Sequence, residues 1–318
     1  MKKKTLLIVG GSGFFGQSII KYFNNNKNLY QKFYKIIIVS RKQFKKNSYY
    51  LQLKKKIKVI KINSNILTIK NLPHADYIIY AAILNNYNDD NRAVKNFIRI
   101  AKNIYLKRKI LYISSGAVYG IQPKFISNFK EDYLNSNKII NFKNGYKKKY
   151  SVCKILNEKL FQELSKCGAK VSIARCFSFV GEHLPRNSVY VVGNFIDSIV
   201  NRKNLVVNAN YKIFRSYMHE DDLANWLLKI LERSNKNCNI YNVGSDNIVS
   251  VQKLSVILAK KYHLNSIIKK IKNKKMFDKY IPNINKAKKI LNLNIKYNSI
   301  EAILKTIDSI IKNNEKTN

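Results

Sequence analysis

Acidic residues are scarce in this chain. Only 18 Asp and Glu stand against 60 Lys and Arg in 318 residues, which gives a formal net charge of +42. Such a charge first suggests nucleic acid or an anionic membrane as a partner. However, only nine of the basic residues are Arg, the side chain best suited to phosphates and base edges, and Lys is spread over the whole chain. Asn, Ile and Tyr are abundant as well, as in proteins from AT-rich genomes. We therefore expect no nucleic-acid partner and no membrane partner, although an anionic substrate would still be attracted.

Cysteine, proline and long apolar runs are also rare. The four cysteines form no Cys-x-x-Cys pair, which argues against a metal site and against a disulfide framework. The four prolines mark no proline-rich linker. No apolar run approaches the ~20 residues that span a bilayer, and the first run, Thr5–Val9, ends at Gly10, too early for an export signal. These absences predict a cytoplasmic protein, and a hydrophobic content of 46% is sufficient for a globular core.

Short β-branched runs alternate with longer periodic segments in the first half of the chain. Strands are predicted at Thr5–Val9, Lys35–Ser40, Ile57–Ile62, Tyr77–Ala81, Lys109–Ser114 and Lys170–Arg175. Helices are predicted at Gly16–Asn24, Ala93–Lys107 and Tyr150–Cys167. This alternation is typical of a parallel sheet with helices on both faces.

The second half is less regular and begins with a loop-rich portion, Cys176–Asn194. Helices are predicted there at Phe195–Val200, Asp221–Glu232, Val251–Lys261 and Ile300–Lys312, and strands at Leu205–Asn208 and Ile240–Val243. Two polar patches are predicted to be loops, Asn24–Asn28 and Tyr146–Lys149.

A glycine-rich turn joins the first predicted strand to the first helix. It has Gly10, Gly13 and Gly16 at every third position, with Phe14 and Phe15 between the last two. Glycines at this spacing allow a tight turn, a close approach to a pyrophosphate and close packing of helix on strand. The positive end of the helix then faces the phosphate charge. The turn therefore predicts a dinucleotide cofactor.

The end of the second predicted strand indicates which dinucleotide is bound. A carboxylate here usually bonds the ribose 2′-hydroxyl of NAD, whereas an Arg accommodates the 2′-phosphate of NADP. The chain has Ser40 and Arg41 at this place, and no Asp or Glu occurs between Gly16 and Asp76. NADP(H) is therefore favoured. NAD(H) remains the alternative, because Arg41 could equally be an ordinary surface charge in so basic a chain.

The segment Tyr150-Ser151-Val152-Cys153-Lys154 contains the candidate catalytic pair. Residues four apart on a helix share a face, with Cβ atoms about 5–6 Å apart, and a neighbouring ammonium favours an ionised phenol. A Tyr that exchanges a proton suits the interconversion of alcohol and ketone. Tyr-x-x-x-Lys alone is weak evidence in a chain with 21 Tyr, so its interpretation depends on the other motifs.

Together these motifs resemble the extended short-chain dehydrogenase/reductases, specifically the nucleotide-sugar epimerase/dehydratase family. Further segments match in family order: Tyr80-Ala81-Ala82, Leu111–Gly120, Arg175–Gly181, Gly193-Asn194-Phe195-Ile196, Arg215–His219, Asp221–Leu223 and Tyr241–Ser245. The resemblance implies an α/β fold, a Rossmann-type doubly wound parallel sheet with a smaller, mixed α/β substrate-binding lobe. We expect residues 1–175 to form the NAD(P)-binding domain, with segments around 205–245 returning to it, and residues 176–318 to form the interleaved lobe.

The resemblance also implies the roles of individual residues. Ser115 would orient the sugar, Tyr150 would exchange the proton, and Lys154 would support the phenolate and hold the nicotinamide ribose. Together with Tyr150 and Lys154, the cofactor contacts would be Gly10, Gly13, Phe14, Phe15, Gly16, Ser40, Arg41, Asn65, Ala81 and Ala82. Substrate contacts would be Ser115, Ser178, Asn194 and Arg215, the last at the diphosphate. Asn65 and Ser178 depart from the Asp and Asn that are common in relatives.

Gly116 and Ala117 argue against a dehydratase and a decarboxylase. The 4,6-dehydratases of the family carry Asp-Glu at these two positions, and the decarboxylases carry Glu at the second. Loss of water needs an acid and a base, which Gly and Ala do not supply. We therefore expect hydride transfer at one carbon, C4, of a nucleotide-diphosphate sugar. The preference for NADP(H) favours a 4-ketoreductase of surface-polysaccharide biosynthesis, with a 4-epimerase as the alternative.

A third alternative is a dehydrogenase-fold protein that has lost catalysis and binds RNA or protein, but such a protein would not need Ser115, Tyr150 and Lys154 together. No metal is expected, because neither His183 nor His219 has a second ligand at suitable spacing.

Relatives often dimerise through two helices from each subunit, which implies a homodimer. Four apolar side chains of the second helix could face the sheet or the partner: Phe97, Ile98, Ile104 and Tyr105.

Overall fold

The structure of the protein is a computed structural model that describes residues 4–44, 48–134, 145–186, 188–272 and 276–315. Its strands are β1 Lys4–Val9, β2 Phe33–Ser40, β3 Lys58–Asn63, β4 Tyr77–Tyr80, β5 Lys109–Ser115, β6 Lys170–Cys176, β7 Phe179–Val180, β8 Leu205–Val207, β9 Lys212–Ser216, β10 Met218–His219, β11 Asn239–Val243, β12 Ile248–Ser250, β13 Ser266–Ile268 and β14 Phe277–Tyr280. Its helices are α1 Phe14–Asn25, α2 Leu29–Lys32, α3 Tyr49–Lys54, α4 Tyr87–Ile104, α5 Tyr146–Lys166, α6 Val191–Val200, α7 Glu220–Glu232, α8 Val251–Lys261, α9 Asn285–Leu291 and α10 Ser299–Glu315. Within these ranges, no helix has the length and apolar character needed to span a membrane.

Seven strands form the central sheet in the order β11-β6-β5-β4-β1-β2-β3. Every neighbouring pair in this sheet is parallel. The chain moves outward from β1 to β3 and then crosses to β4 on the other side of β1, so the strand order reverses between β1 and β4. In doubly wound sheets, ligands bind outside the carboxyl ends of the strands at this point.

The strands are continuous aliphatic runs because helices cover both faces of the sheet. Along β1, Leu6 and Ile8 enter one core cluster, which also receives side chains of α1 and α7. Leu7 and Val9 enter the opposite cluster with α4 and α5. This alternation is the period of two expected of a strand. The predicted doubly wound parallel sheet is therefore confirmed.

The lobe contains three small sheets with a core of its own. Strands β12, β9 and β14 form one sheet, β10 pairs with β7, and β13 pairs with β8. Helices α6, α8 and α10 contribute the apolar side chains of the lobe core. Of the segments around 205–245, β11 joins the central sheet beside β6 and α7 packs on that sheet, whereas β8 stays with the lobe.

Three helices begin a full turn or more before their predicted starts, and one of them, α6, begins at Val191 within the portion predicted to be loop-rich. Helix α4 begins at Tyr87, because the side chain of Asn86 accepts a hydrogen bond from the Asn88 N–H and caps the helix. Helix α5 begins at Tyr146, so the prediction of a loop at Tyr146–Lys149 was wrong. The apolar residues of α4 and Tyr105, which directly follows it, face the sheet: Phe97, Ile98 and Tyr105 are buried in the core, and Ile104 packs against them.

Candidate active site

The glycine turn lies at the carboxyl edge of the sheet, between β1 and α1. Gly10 has φ of +90°, and a Cβ there would lie 2.5 Å from the backbone nitrogen of Ala82. A Cβ on Gly16 would lie 2.3 Å from the Cα of Gly11. A Cβ on Gly13 would meet its nearest atom at 3.4 Å, and this residue is exposed. The protein's own packing therefore requires Gly10 and Gly16, whereas Gly13 borders the open side of the turn.

The N-terminus of α1 is free of acidic or capping side chains. Its N-cap residue, Gly13, supplies no side-chain hydrogen bond, and the first turn has no Asp or Glu. The first N–H groups of such a helix lack intrahelical partners and carry a partial positive charge. Phe14 and Phe15 pack edge to face at 5.6 Å, and both contact Phe179 of the lobe. The turn therefore fits a pyrophosphate at its backbone, while its two phenyl rings fix it to the lobe.

Polar groups without a carboxylate lie where β2 ends. The Ser40 hydroxyl is 2.6 Å from the Ser12 hydroxyl and 3.2 Å from the Lys42 carbonyl oxygen, and the side chain of Arg41 is exposed. Ser12, which the sequence analysis had not selected, thus joins the predicted pair. Asn65 is farther along the chain and bonds locally, since its Oδ1 accepts from the Leu67 N–H at 3.1 Å.

Tyr150 and Lys154 lie on the buried side of α5, as their spacing predicts. The Lys154 Nζ is 5.8 Å from the centroid of the Tyr150 ring and 3.4 Å from the Tyr112 hydroxyl. The Lys154 ammonium also lies 3.8 Å from Oδ2 of Asp90, a residue of α4. Burial alone would lower the pKa of Lys154, but Tyr112, Tyr150 and Asp90 together raise that pKa well above its ordinary value. Lys154 is therefore a buried cation at neutral pH.

Ser115 ends β5 and faces an aromatic residue that the sequence analysis missed. The Ser115 Oγ accepts a hydrogen bond from the Ala117 N–H at 3.2 Å, and the Ser115 side chain lies beside the hydroxyl of Tyr280. Burial raises the pKa of Tyr280, and the nearby Tyr150 phenol raises it further. Tyr280 comes from β14, far along the chain, and no motif in the sequence marks it. The phenols of Tyr150 and Tyr280 and the Ser115 hydroxyl thus belong to one cluster.

The predicted substrate contacts are already engaged in the protein. The Asn194 side chain accepts a hydrogen bond from the Ser188 N–H and donates one to the Ser188 carbonyl oxygen, both at 3.0 Å. Asn194 therefore holds the loop before α6. Arg215 pairs with Oδ2 of Asp278 on β14 at 3.2 Å and lies near enough to Tyr280 to lower its pKa. Ser178 is half-buried, and its carbonyl oxygen accepts from a backbone N–H of β10. Arg215 is therefore the member of this set that lies beside the Ser115–Tyr150–Tyr280 cluster.

An aromatic ring fills the space beside Gly116. A Cβ on Gly116 would lie 2.7 Å from the Phe177 ring, which in turn packs on Tyr280 with centroids 4.7 Å apart. An acidic side chain at position 116 would therefore require Phe177 to move. This packing agrees with the absence of a carboxylate at Gly116 and Ala117.

A buried ionic network supports the site from behind. Glu158, one turn after Lys154, accepts from Arg175 of β6 at 2.8 Å and from the Ser114 hydroxyl at 2.5 Å. Arg175 also donates to the Tyr119 hydroxyl at 2.9 Å. All four polar side chains are nearly inaccessible to solvent. The network therefore fixes the end of β5, where Ser115 lies, against α5, where Tyr150 lies.

Comparison with known families agrees with this geometry. The model of the NAD dependent epimerase/dehydratase family matches residues 6–244. The chain belongs to this family. The match contains the glycine turn, Ser115, Tyr150 and Lys154, whereas Tyr280 lies beyond its end. The family assignment made from sequence motifs is thus confirmed.

Solved structures of epimerases share the fold over nearly their whole length. The UDP-N-acetylglucosamine 4-epimerase of Methanobrevibacter ruminantium, in complex with UDP-N-acetylmuramic acid, is 18% identical with a TM-score of 0.77, and 100% of each chain is covered. The UDP-glucose 4-epimerase of Thermotoga maritima, with UDP-glucose, is 17% identical with a TM-score of 0.74, covering 97% of this chain and 99% of that one. A mutant UDP-glucuronic acid 4-epimerase of Bacillus cereus, in complex with NAD and a fluorinated UDP-sugar, is 16% identical with a TM-score of 0.76 and the same coverage. At these identities the likeness shows a common fold. No curated protein sequence matches the chain.

Proposed function

We propose that this family member is an NADP(H)-dependent 4-ketoreductase of nucleotide-diphosphate sugars. The observation that supports this best is the Ser115–Tyr150–Lys154 set at the carboxyl edge of the sheet, close to a glycine turn that fits a dinucleotide. Gly116 and Ala117 leave the site without the acid and base that dehydration needs. Transfer of a hydride at one carbon is the chemistry that these groups can support.

The side chains have separate tasks in this reaction. When bound, the nicotinamide supplies the hydride. Tyr150 gives its phenolic proton to the sugar oxygen as the ketone becomes an alcohol, and the Lys154 cation stabilises the phenolate that remains. Ser115 hydrogen-bonds the same sugar oxygen and thereby holds it near Tyr150. The backbone of the glycine turn and the first turn of α1 would hold the pyrophosphate of the cofactor.

The direction of the reaction follows from the proposed choice of cofactor. The end of β2 offers the Ser12 and Ser40 hydroxyls and the Arg41 guanidinium, and the sequence has no acid nearby. These groups suit the 2′-phosphate of NADP, whereas a carboxylate would suit the free 2′-hydroxyl of NAD. Because NADPH is supplied as a reductant, a reductase is the proposed direction.

The substrate class follows from charge and from Arg215. A net charge of +42 attracts a dianionic diphosphate. Arg215 could exchange its partner Asp278 for the diphosphate, since a guanidinium binds phosphate and carboxylate oxygens in the same forked geometry.

We place the enzyme in surface-polysaccharide biosynthesis in the cytoplasm. We also propose a homodimer through α4 and α5, because Val152 and Leu156 are exposed four residues apart on α5.

A 4-epimerase is the second candidate function. It is favoured by the family and by the fold shared with solved 4-epimerases. An epimerase would use the same Ser115, Tyr150 and Lys154, but it would retain its cofactor and would return the hydride to the opposite face of the sugar.

The deciding experiment measures the absorbance of the reduced nicotinamide while the protein is mixed with NADPH or NADH and a panel of 4-keto-6-deoxy nucleotide sugars. We expect NADPH to be consumed with at least one sugar and this consumption to be lost in Tyr150→Phe. Tyr34→Phe is the matched control, because Tyr34 is an exposed residue near the other end of β2. No consumption, together with release of a tightly bound dinucleotide on denaturation, would replace the reductase with the epimerase.

A further inference from the structure

Asp90 is a buried carboxylate beside the active site that the reaction above does not use. It lies on α4 and is 2% exposed. Its Oδ1 accepts a hydrogen bond from the Leu84 N–H at 2.9 Å, and its Oδ2 accepts from the Asn157 amide at 3.1 Å. The Cys153 Sγ lies 3.7 Å from the same Oδ2. Groups from α5 and from the segment after β4 therefore hold this carboxylate in one position.

The carboxylate of Asp90 also lies next to the Lys154 ammonium. The distance between Oδ2 and Nζ is 3.8 Å, and both side chains are almost completely buried. In a medium of low polarity, opposite charges at this distance interact strongly. Any field that Lys154 exerts on the Tyr150 phenol is consequently reduced by the negative charge behind it.

The other titratable groups around this pair are Tyr80, Tyr112, Cys153, Cys176, Glu158 and Tyr280. Burial raises the pKa of each of the phenols and thiols, that of Cys153 to about 11, so they are neutral at neutral pH. Glu158 is paired with Arg175. Among the described residues around Lys154, Asp90 is therefore the one whose negative charge acts directly on the ammonium.

We propose that Asp90 is a positioning residue of the active site, which fixes the Lys154 ammonium and limits how strongly that cation favours the Tyr150 phenolate. The same carboxylate connects this ion pair to the Leu84 backbone, three residues after Ala81, which lies beside the glycine turn. Asp90 thus acts through Lys154 and need not touch the sugar. The inference rests on the proposed function in one respect, that Tyr150 is the group that exchanges the proton.

The test compares the pH titration of the Tyr150 phenol in the wild type and in Asp90→Asn. NMR spectra of protein with ¹³C at Cζ of its tyrosines monitor the titration. The signal that disappears in Tyr150→Phe identifies the residue. Removal of the negative charge makes the phenolate easier to form, so we expect the titration midpoint to move lower by about one pH unit, the order of shift that one charge in a buried site produces. Asp76→Asn is the matched control, because Asp76 precedes β4 at the opposite end of the sheet and bonds the Thr5 N–H. This control should leave the midpoint unchanged.

An unchanged or higher midpoint in Asp90→Asn would overturn the proposal. If Asp90→Asn does not fold, Asp90→Ser removes the same charge while keeping an acceptor for the Leu84 N–H, and its midpoint is interpreted in the same way. The NMR titration needs no sugar, so it decides the role of Asp90 even if no nucleotide sugar reacts. Where a sugar does react, the pH dependence of kcat/KM should shift in the same direction, whereas a merely structural defect would lower kcat/KM equally at every pH.

Discussion

Removal of Arg175 should destabilise the protein strongly, because it would leave Glu158 buried without a counter-charge. Both side chains are nearly inaccessible to solvent, and their closest oxygen–nitrogen distance is 2.8 Å. Breaking a buried ion pair from one side costs about 3–5 kcal/mol. We therefore expect Arg175→Met to lower the free energy of unfolding by that amount, a large part of the stability of an ordinary domain.

The expected change in melting temperature follows from the size of the chain. An unfolding entropy of about 2.1 cal/mol/K per residue gives roughly 0.7 kcal/mol/K for a chain of this length. The loss in Arg175→Met therefore corresponds to a decrease in Tm of about 4–7 °C. Scanning calorimetry in the absence of ligands would measure it.

The double variant Glu158→Gln/Arg175→Met provides the control for this reasoning. It removes both charges, so much of the lost Tm should return, since a buried ion pair can be replaced by neutral side chains at little cost. The Ser114 hydroxyl keeps an acceptor in the Gln side chain. Equal Tm values for the single and double variants would refute the view that an uncompensated charge causes the loss.

Three further predictions concern the cofactor, the chemistry and acid stability. Arg41→Ala should raise the KM for NADPH about tenfold, the loss of one charge-assisted hydrogen bond, while the KM for NADH stays unchanged; equal effects on both would contradict a role at the 2′-phosphate. Gly116→Asp should destabilise the fold by about 1–3 kcal/mol through crowding against the neighbouring aromatic ring, and mass spectrometry should detect no dehydrated sugar. Burial opposes ionisation of Glu220, but the nearby His183 and the Lys21 ammonium, which donates to Glu220 at 2.6 Å, lower its pKa from 4.5 to about 2. Because the folded pKa is the lower one, this stabilisation is complete above pH 4.5 and is lost toward pH 2; the Tm difference between wild type and Glu220→Gln should shrink over this range.

The central sheet could be predicted from the sequence because its strands are continuous aliphatic runs between helices. Thr5–Val9 and Lys35–Ser40 lie buried on both faces, so nearly every residue reports the strand. Of the short strands of the lobe, β8 was predicted as Leu205–Asn208, whereas the others escaped prediction because they are too brief and too polar for a periodic signal. β14, for example, is the four residues Phe-Asp-Lys-Tyr, all only partly buried.

The same holds for the candidate site. Residues placed by a single local motif could be predicted from the sequence, whereas residues brought together only by the fold could not. The glycine turn and the Tyr150–Lys154 pair depend on spacing within a single turn or helix, so the sequence predicts their geometry directly. Asp90 and Tyr280 reach the site from separate elements, and nothing in their neighbouring residues distinguishes them from surface polar groups. Their place depends on how α4 and β14 pack against the end of β5.

Tyr280 lies in the part of the chain beyond the match to the family model, whereas the proposed catalytic residues lie within that match. Residues 6–244 contain the glycine turn and the three proposed catalytic side chains, whereas the phenol beside Ser115 comes from residue 280. The residues proposed to bind the cofactor and move the proton, and a phenol that lies beside them, are thus encoded in different stretches of the gene. Changes in the final quarter of the chain would therefore alter the surroundings of Ser115 while the residues proposed for the reaction stay the same.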